Sequence, residues 1–419
     1  MREIRIALIG VIFGGLFAVA GSVSAQTLPE ALASAYNNNP ELLAARAKLR
    51  SVDEGVPQAL AGWRPKVEMS GDIARSNTYL NTRPGDRGQI RTPRNTSLDV
   101  TQPLFRGLRT VAGVERAESL VRAQRASLKG TEQDVLLSGV SAYMSVVRDQ
   151  AVLSLSINNE QVLRRQLEAT RDRFEVGEIT RTDVAQAEAR LAGATADRIK
   201  AEGDLKQSRA SYLNIVGVAP GTLKQPPEPS DLPKDLQTAT DAAKIGHPDV
   251  VSAEFSERAA RQNIKSVRGE LLPTLNLLGS VGQRWESSGN DSQMFAGSVK
   301  LDLTVPIYQK GSVYSRLRAA KQDAGKSRLD LADARRDQVN AATSSWEQLQ
   351  AARARIKSFK AQIRASEIAL EGVQTEAQVG SRTVLDVLDA EQELLDAKVN
   401  LVRARRDDIV AAYGLKEAI

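Results

Sequence analysis

The chain has 419 residues, a formal net charge of +6 at pH 7, 4 % aromatic residues and no cysteine. The lack of cysteine excludes disulfides. The small net charge, without any Lys/Arg run interleaved with aromatics, gives no indication of nucleic-acid binding. Long tracts rich in Ala, Leu, Val, Gln, Arg and Glu are typical of extended helix pairs rather than of a thick globular core.

The N-terminal segment, residues 1–25, has the pattern of a secretory signal peptide. Arg2 and Arg5 precede an apolar run over residues 6–19, and small residues then end at Ala25, which predicts cleavage there. An N-terminal membrane anchor is the alternative, but the apolar run is shorter than the roughly 20 residues of a spanning helix. No later stretch is long and apolar enough to predict a transmembrane helix.

The rest of the chain is an internal duplication. The matching positions of the first part lie at a constant offset of 208 residues. They are Ala31/Ala239, Ala35/Ala243, Pro40/Pro248, Ala45/Ala253, Pro65/Pro273 and Gly71/Gly279. We therefore predict a first structural repeat over 26–216, a Pro-rich linker over 217–235 and a second repeat over 236–419.

Both repeats predict the same order of elements: two short helices, a β-hairpin and long helices. The approximate bounds are 28–38, 41–63, 66–105 and 107–216 in the first repeat, and 236–246, 249–270, 274–308 and 312–414 in the second. Pro57 lies inside the second helix and should kink it. The long helices fall in proline-free tracts, and the hairpin loops, about 80–95 and 287–294, are rich in turn residues.

The hairpin strands alternate between an apolar and a polar face. Val299, Leu301 and Leu303, for example, alternate with Lys300 and Asp302, which is a strand signal. The strands have about the ten residues that a tilted bilayer-spanning strand needs. Four strands cannot close a membrane barrel, since the smallest have about eight, and open edges in lipid are costly. Either the strands stay out of the membrane, or several chains pool them.

The last long helix carries two adjacent heptad rows. They are Leu388, Leu395, Val402 and Ile409, and Val387, Leu394 and Leu401. Two rows let a helix contact two partners at once, as a closed ring of helices requires. One function that fits the heptads is that of a soluble periplasmic coiled-coil scaffold. This alternative does not explain the alternating strands.

The stretch 376–394 holds the most specific motif of the chain. Gly380 interrupts a long helical pattern, and Thr383 can cap the helix that follows. That helix places Asp386 and Asp389 three positions apart, on one face. Both could simply be acids at a helix N-terminus, where the helix dipole favours them. The stretch is duplicated around Gly177, at an offset of 203 residues, but the earlier copy lacks the second Asp.

Residues 379–390, Val-Gly-Ser-Arg-Thr-Val-Leu-Asp-Val-Leu-Asp-Ala, closely resemble the periplasmic turn of the TolC family of outer-membrane efflux proteins. The resemblance covers nearly all of the mature chain. It implies a mainly α fold with a β-barrel part, and a homotrimer embedded in outer-membrane lipid with a long periplasmic extension. Each chain would give four strands to one barrel and four long-helix tracts to one tunnel.

The same resemblance implies a passive exit duct for tripartite efflux pumps, type I secretion, or both. The expected partners are a periplasmic adaptor (membrane fusion) protein and an inner-membrane RND or ABC transporter. No cofactor is expected. Asp386 and Asp389 would form the pore aperture, and Arg382 would act as a gate latch by binding the Thr182/Asp183 turn.

The turns at Gly177 and Gly380 would contact the adaptor by the same resemblance. The sequence departs from the family at Ala377, where members often carry a tyrosine, so the latch should depend more on Arg382. Enzymatic function is not expected. The only histidine, His247, is expected to be a solvated residue at a helix end, and the sequence has no Gly-rich phosphate loop and no metal-ligand cluster.

Overall fold

The structure is a computed structural model that describes residues 26–78, 89–287 and 291–419. The signal peptide expected over 1–25 lies outside the described residues, as do positions 79–88 and 288–290 of the two hairpin loops. The mainly α fold with a small sheet is confirmed.

The described residues form two similar runs of elements. The first run comprises α1 (Leu28–Asn38), α2 (Pro40–Asp53), α3 (Gly55–Leu60), β1 (Lys66–Ile73), β2 (Ser76–Thr78), β3 (Gln89–Arg91), β4 (Arg94–Arg106), α4 (Arg109–Glu175) and α5 (Arg181–Val216). The second comprises α6 (Leu236–Gly246), α7 (Pro248–Gly269), β5 (Thr274–Trp285), β6 (Gln293–Thr304), α8 (Ser312–Gln378) and α9 (Val384–Glu417).

The short helices begin and end where local chemistry dictates. Asn39 caps α2 through its side-chain oxygen, which accepts hydrogen bonds from the Glu41 and Leu42 amides, and Pro40 occupies the first turn. The interruption expected at Pro57 is present, because α2 ends at Asp53 and a separate helix starts two residues later. A proline has no N–H with which to bond the carbonyl of the preceding turn.

Four antiparallel strands form one sheet in the order β1-β4-β5-β6. The register places Met69 opposite Leu98, and Leu98 opposite Val281, so apolar side chains follow one face across the sheet. On the same face Leu277 lies opposite Leu301 of β6. Within the described strands, β1 and β6 are each paired on one side only, which leaves the sheet with two open edges.

The long helices α4 and α8 have 67 residues each, so each is about 100 Å long at ~1.5 Å per residue. Helix α4 packs against α5, α7 and α9, and α8 packs against α7 and α9. The largest core cluster joins α1, α4 and α5 around the buried Val140, Tyr143 and Tyr212. No helix in the described ranges is both long and apolar enough to cross a membrane.

The linker between the repeats is fixed to the second helix pair. Glu228 binds Arg353 of α8, with 3.3 Å between the carboxylate oxygen and the guanidinium, and Leu232 packs against the apolar cluster that contains Leu349 and Leu415. An ion pair and an apolar contact thus hold the mostly exposed Pro-rich connection along one side of the α8–α9 pair.

His247 is not the solvated residue that the sequence suggested. It is only 4 % exposed, and its Nδ1 accepts the Asp249 amide at 3.2 Å, which makes it the N-cap of α7. Burial lowers the pKa of His247. The expectation of a helix-end position was right and that of solvation was wrong, because α4 and the end of α9 cover the junction.

Candidate functional site

Two turns at the far end of the long helices have the same geometry. Gly177 between α4 and α5 has φ +82°, and Gly380 between α8 and α9 has φ +80°. A side chain disfavours this left-handed conformation, and glycine does not. Each turn closes the helix before it with backbone bonds, such as Glu178 N to Arg173 O at 2.9 Å and Ser381 N to Glu376 O at 3.0 Å.

Each turn leads into a helix with a capping box. The Asp386 carboxylate accepts hydrogen bonds from the Thr383 amide at 2.9 Å and the Thr383 hydroxyl at 2.8 Å. Asp183 accepts the same two bonds from Thr180, at 2.9 and 2.8 Å. The Thr383 backbone amide is the main reason that the pKa of Asp386 lies below its usual value. Asp386 is therefore an ionised cap as well as an aperture candidate.

Arg382 lies in the second turn and pairs with a carboxylate of that same turn. Its Nε donates to Glu376 Oε2 at 2.9 Å, with both side chains about half exposed. This hydrogen bond is the main reason that the pKa of Arg382 is raised. Thr182 lies on the exposed first turn of α5. The structure does not bring Arg382 to Thr182 or Asp183 within one chain, so the latch at this turn stays a prediction.

Asp389 does not share a partner with Asp386. It forms an ion pair with Arg190 of α5, which ties the second tip to the first. Sequence reasoning missed Arg190. Because α5 and α9 both start at a glycine turn and run the same way, residues at similar distances from Gly177 and Gly380 lie at similar heights, and this spacing was the available signal.

Ion pairs also join α4 to α5 above the tips. Arg171 binds Glu188 at 2.6 Å, and higher up the buried Glu160 accepts from Arg198 Nε at 2.6 Å and from the Thr195 hydroxyl at 2.9 Å. These pairs hold the first helix hairpin as one unit.

In the second helix hairpin, formed by α8 and α9, the acid at the equivalent height lacks a hydrogen-bond partner in the described part of the chain. Glu391, the counterpart of Glu188, has a buried carboxylate oxygen with no hydrogen-bond partner among the described residues, and burial raises the pKa of its side chain. It lines a groove of about 250 Å³ between α4, α8 and α9, together with Asn158, Asn159 and Lys398.

These parts define a class of protein. A sheet with one apolar face and two open edges lies at one end of helix pairs about 100 Å long, and two capped turns lie at the other end. This is the architecture of an outer-membrane channel-tunnel.

The chain belongs to the outer membrane efflux protein family, whose model matches residues 31–218 and 239–419. It is similar to the outer membrane efflux protein BepC of Brucella suis, with 35 % identity over 410 residues that cover 97 % of this chain and 88 % of BepC. It is 26 % identical to the outer membrane protein TolC of Salmonella enteritidis over 431 residues, which cover 100 % of this chain and 86 % of TolC.

A solved structure supports the fold. The crystal structure of a membrane protein from Pseudomonas aeruginosa matches with a TM-score of 0.84 at 17 % identity, covering 93 % of this chain and 89 % of the other. The family resemblance and fold predicted from sequence are confirmed. The protein is an outer-membrane channel of the efflux and type I secretion class, and the members of its family are channels rather than enzymes. A coiled-coil scaffold is set aside.

Proposed function

We propose that three copies of this chain form the conducting channel. The observation that supports this is the exposed apolar face of a sheet with two open edges: Met69 is 76 % exposed and Leu301 is 62 % exposed. Eight pooled strands, from two copies, would leave an interior about wide enough for side chains only. Three copies give roughly twelve strands, which leaves room for a water-filled passage.

The helices support the same assembly. Packing runs from α5 to α4, from α4 to α9 and from α9 to α8, so α5 and α8 lie at opposite margins of the helix layer of one copy. Heptad residues Leu395 and Val402 of α9 are only half buried in a single chain. In a closed ring α5 of one copy meets α8 of the next, so no helix keeps a free margin.

We propose that the two turns form the gate. Three-fold symmetry brings three copies of Asp386 and Asp389 around one axis, where like charges repel, hold cations and give the pore cation preference. Arg382 then exchanges Glu376 for the Thr182/Asp183 turn of a neighbouring copy. An Arg–carboxylate contact is specific in geometry and can be broken when the channel opens.

The turns are also the proposed adaptor site. Val176 is 72 % exposed and Val379 is 78 % exposed, beside Gly177 and Gly380. Exposed apolar residues next to two conformationally fixed turns suit contact with another protein. The adaptor is a periplasmic membrane fusion protein, and an inner-membrane RND or ABC transporter supplies the energy. The channel itself needs no cofactor and performs no catalysis.

The experiment is conductance in planar bilayers, with the oligomeric state measured by native mass spectrometry. We expect trimers and a small conductance that rises in Arg382→Ser, along with cell sensitivity to large external antibiotics. Arg364→Ser is the control, because Arg364 is exposed on α8 and makes no ion pair within the described residues. A monomer without current would contradict the channel, and equal conductance in both variants would remove Arg382 from the gate.

A further inference from the structure

The apolar face of the sheet continues onto the helices at the end where the strands meet them. The register places Phe105 opposite Leu275, and Leu275 opposite Leu303. These three residues form the last apolar row before the helices. The outer-membrane location puts this row at the periplasmic boundary of the bilayer, where aromatic residues are enriched.

Leu108 extends this surface beyond the sheet. It lines a small cleft together with Trp63 and Phe105, and it also lines a groove of about 240 Å³ between α4 and α7. Since Leu108 belongs to both, the two form one continuous surface. Leu108 is 60 % exposed and has φ +60°, a conformation that is uncommon for a large residue.

The groove is formed by residues of a single chain. Within one chain, α4 packs against both α3 and α7. Strands β4 and β5, which lead into the groove, are the two central strands of the sheet. Another copy therefore joins at β1 and β6, away from this groove.

Positive side chains outnumber negative ones around the groove. Two cations of α7 line it, Lys265 and Arg268, beside the apolar Val111 and Leu272. The groove's one acid, Glu115, lies 3.8 Å from Lys265 Nζ, and Arg268 has no carboxylate within ion-pair distance among the described residues.

The same excess of cations recurs where the other strands meet helices. Arg64, Arg106, Arg109 and Lys310 lie at these junctions, and within the described ranges none of them pairs with a carboxylate. These cations lie near the apolar face of the sheet, an arrangement that anionic headgroups would stabilise, because each Lys or Arg near a negative lipid surface contributes about 1 kcal/mol.

We infer that the groove between α4 and α7 binds an anionic phospholipid of the periplasmic leaflet. Lys265 and Arg268 contact the headgroup phosphate, and the acyl chain follows Leu108 and Phe105 toward the sheet. This inference rests on the outer-membrane location of the protein and not on its gate or its partners.

The test is native mass spectrometry of the purified protein in detergent, titrated with phosphatidylglycerol and with phosphatidylethanolamine of the same acyl chains. We expect phosphatidylglycerol to bind at least about tenfold more tightly. The preference should vanish in the double variant Lys265→Gln/Arg268→Gln and persist in Arg268→Lys, which keeps the charge. Lys357→Gln/Lys360→Gln, on the exposed face of α8, is the matched control.

Equal binding of the two lipids by the wild type would overturn the inference. An equal loss of phosphatidylglycerol preference in the groove variant and in the α8 control would also overturn it, because the loss would then reflect only the lower net charge. Displacement of phosphatidylglycerol by excess inorganic phosphate would show a site for a free anion instead of a lipid. If the purified protein were not a trimer but kept its preference for phosphatidylglycerol, the result would contradict the proposed channel assembly and support the lipid site.

Discussion

Arg190 of α5 and Asp389 of α9 form an ion pair that joins the two helices leaving the glycine turns. The two residues are 199 positions apart and belong to different repeats. The pair directly links the two tips of one chain, which matters for any opening motion.

We expect Arg190→Gln to loosen the tips without unfolding the protein. The pair is exposed, so its loss should cost less than about 1 kcal/mol, whereas conductance and sensitivity to large external antibiotics should rise. The matched control is Lys200→Gln on the same helix, because Lys200 is exposed and makes no ion pair among the described residues. An unchanged conductance in Arg190→Gln would mean that the pair does not restrain the gate.

Comparison of the repeats predicts a stabilising substitution. Arg171 pairs with Glu188 at 2.6 Å, but the equivalent positions of the second repeat hold Gln374 and the unpaired Glu391. We expect Gln374→Arg to supply the missing cation, lower the pKa of Glu391 and raise the melting temperature by about 2 °C.

The control for this change is Gln362→Arg, which adds the same charge on an exposed part of α8. Thermal melts at pH 7 in one detergent measure the difference. Equal melting temperatures for the two variants would show that the groove around Glu391 does not accept an arginine in the geometry of the first repeat.

A pH-dependent contact lies where the linker crosses the second helix pair. Asp408 is 3 % exposed, and burial, together with a hydrogen bond to the Glu228 carboxyl, raises its pKa from 3.8 to about 6. Arg353 faces both acids, with its Nε 3.7 Å from Asp408. The folded state holds this proton more tightly than the unfolded chain, so its stabilising effect is complete below pH ~4 and is lost as pH rises through ~6.

We expect the wild-type melting temperature to fall between pH 4 and pH 7 relative to that of Asp408→Asn, by an amount that corresponds to at most about 3 kcal/mol. The amide keeps the shape of the carboxyl and can donate to Glu228 at every pH. Parallel pH profiles for the two proteins would show that Asp408 does not hold the proton. Asp407→Asn, at the half-buried neighbouring position, is the control.

Gly107 and Gly269 cross backbone to backbone where strands give way to helices. A Cβ on either glycine would lie 2.2 Å from the carbonyl oxygen of the other, which no side chain can tolerate without a backbone shift. We expect Gly269→Ala to cost about 1–3 kcal/mol or more and to reduce the yield of assembled channel in the membrane.

Gly113→Ala on α4 is the matched control for Gly269→Ala. A Cβ at Gly113 meets nothing within 4 Å, and alanine favours helix over glycine by about 1 kcal/mol, so this variant should assemble normally. Comparable yields of assembled protein from the two variants would mean that the glycine crossing is not required.

The sequence by itself determined the local parts of this protein. Period-two alternation, proline spacing and the duplication predicted the hairpins and the paired helices. The Thr383/Asp386 capping box follows from residues three positions apart. Such features depend on hydrogen bonds and side-chain contacts within one or two helical turns, so the neighbouring residues are enough to specify them.

The tertiary structure decided which distant residues meet. The pairing of Arg190 with Asp389, the burial of Asp408 under the linker and the covering of His247 all depend on which helix faces pack together. That choice is set by burial of apolar surface over the whole chain, and a linear pattern does not encode the partner of an individual charge. The proposed contact between Arg382 and a neighbouring copy depends on a further level, the assembly of copies, because it joins residues of different chains.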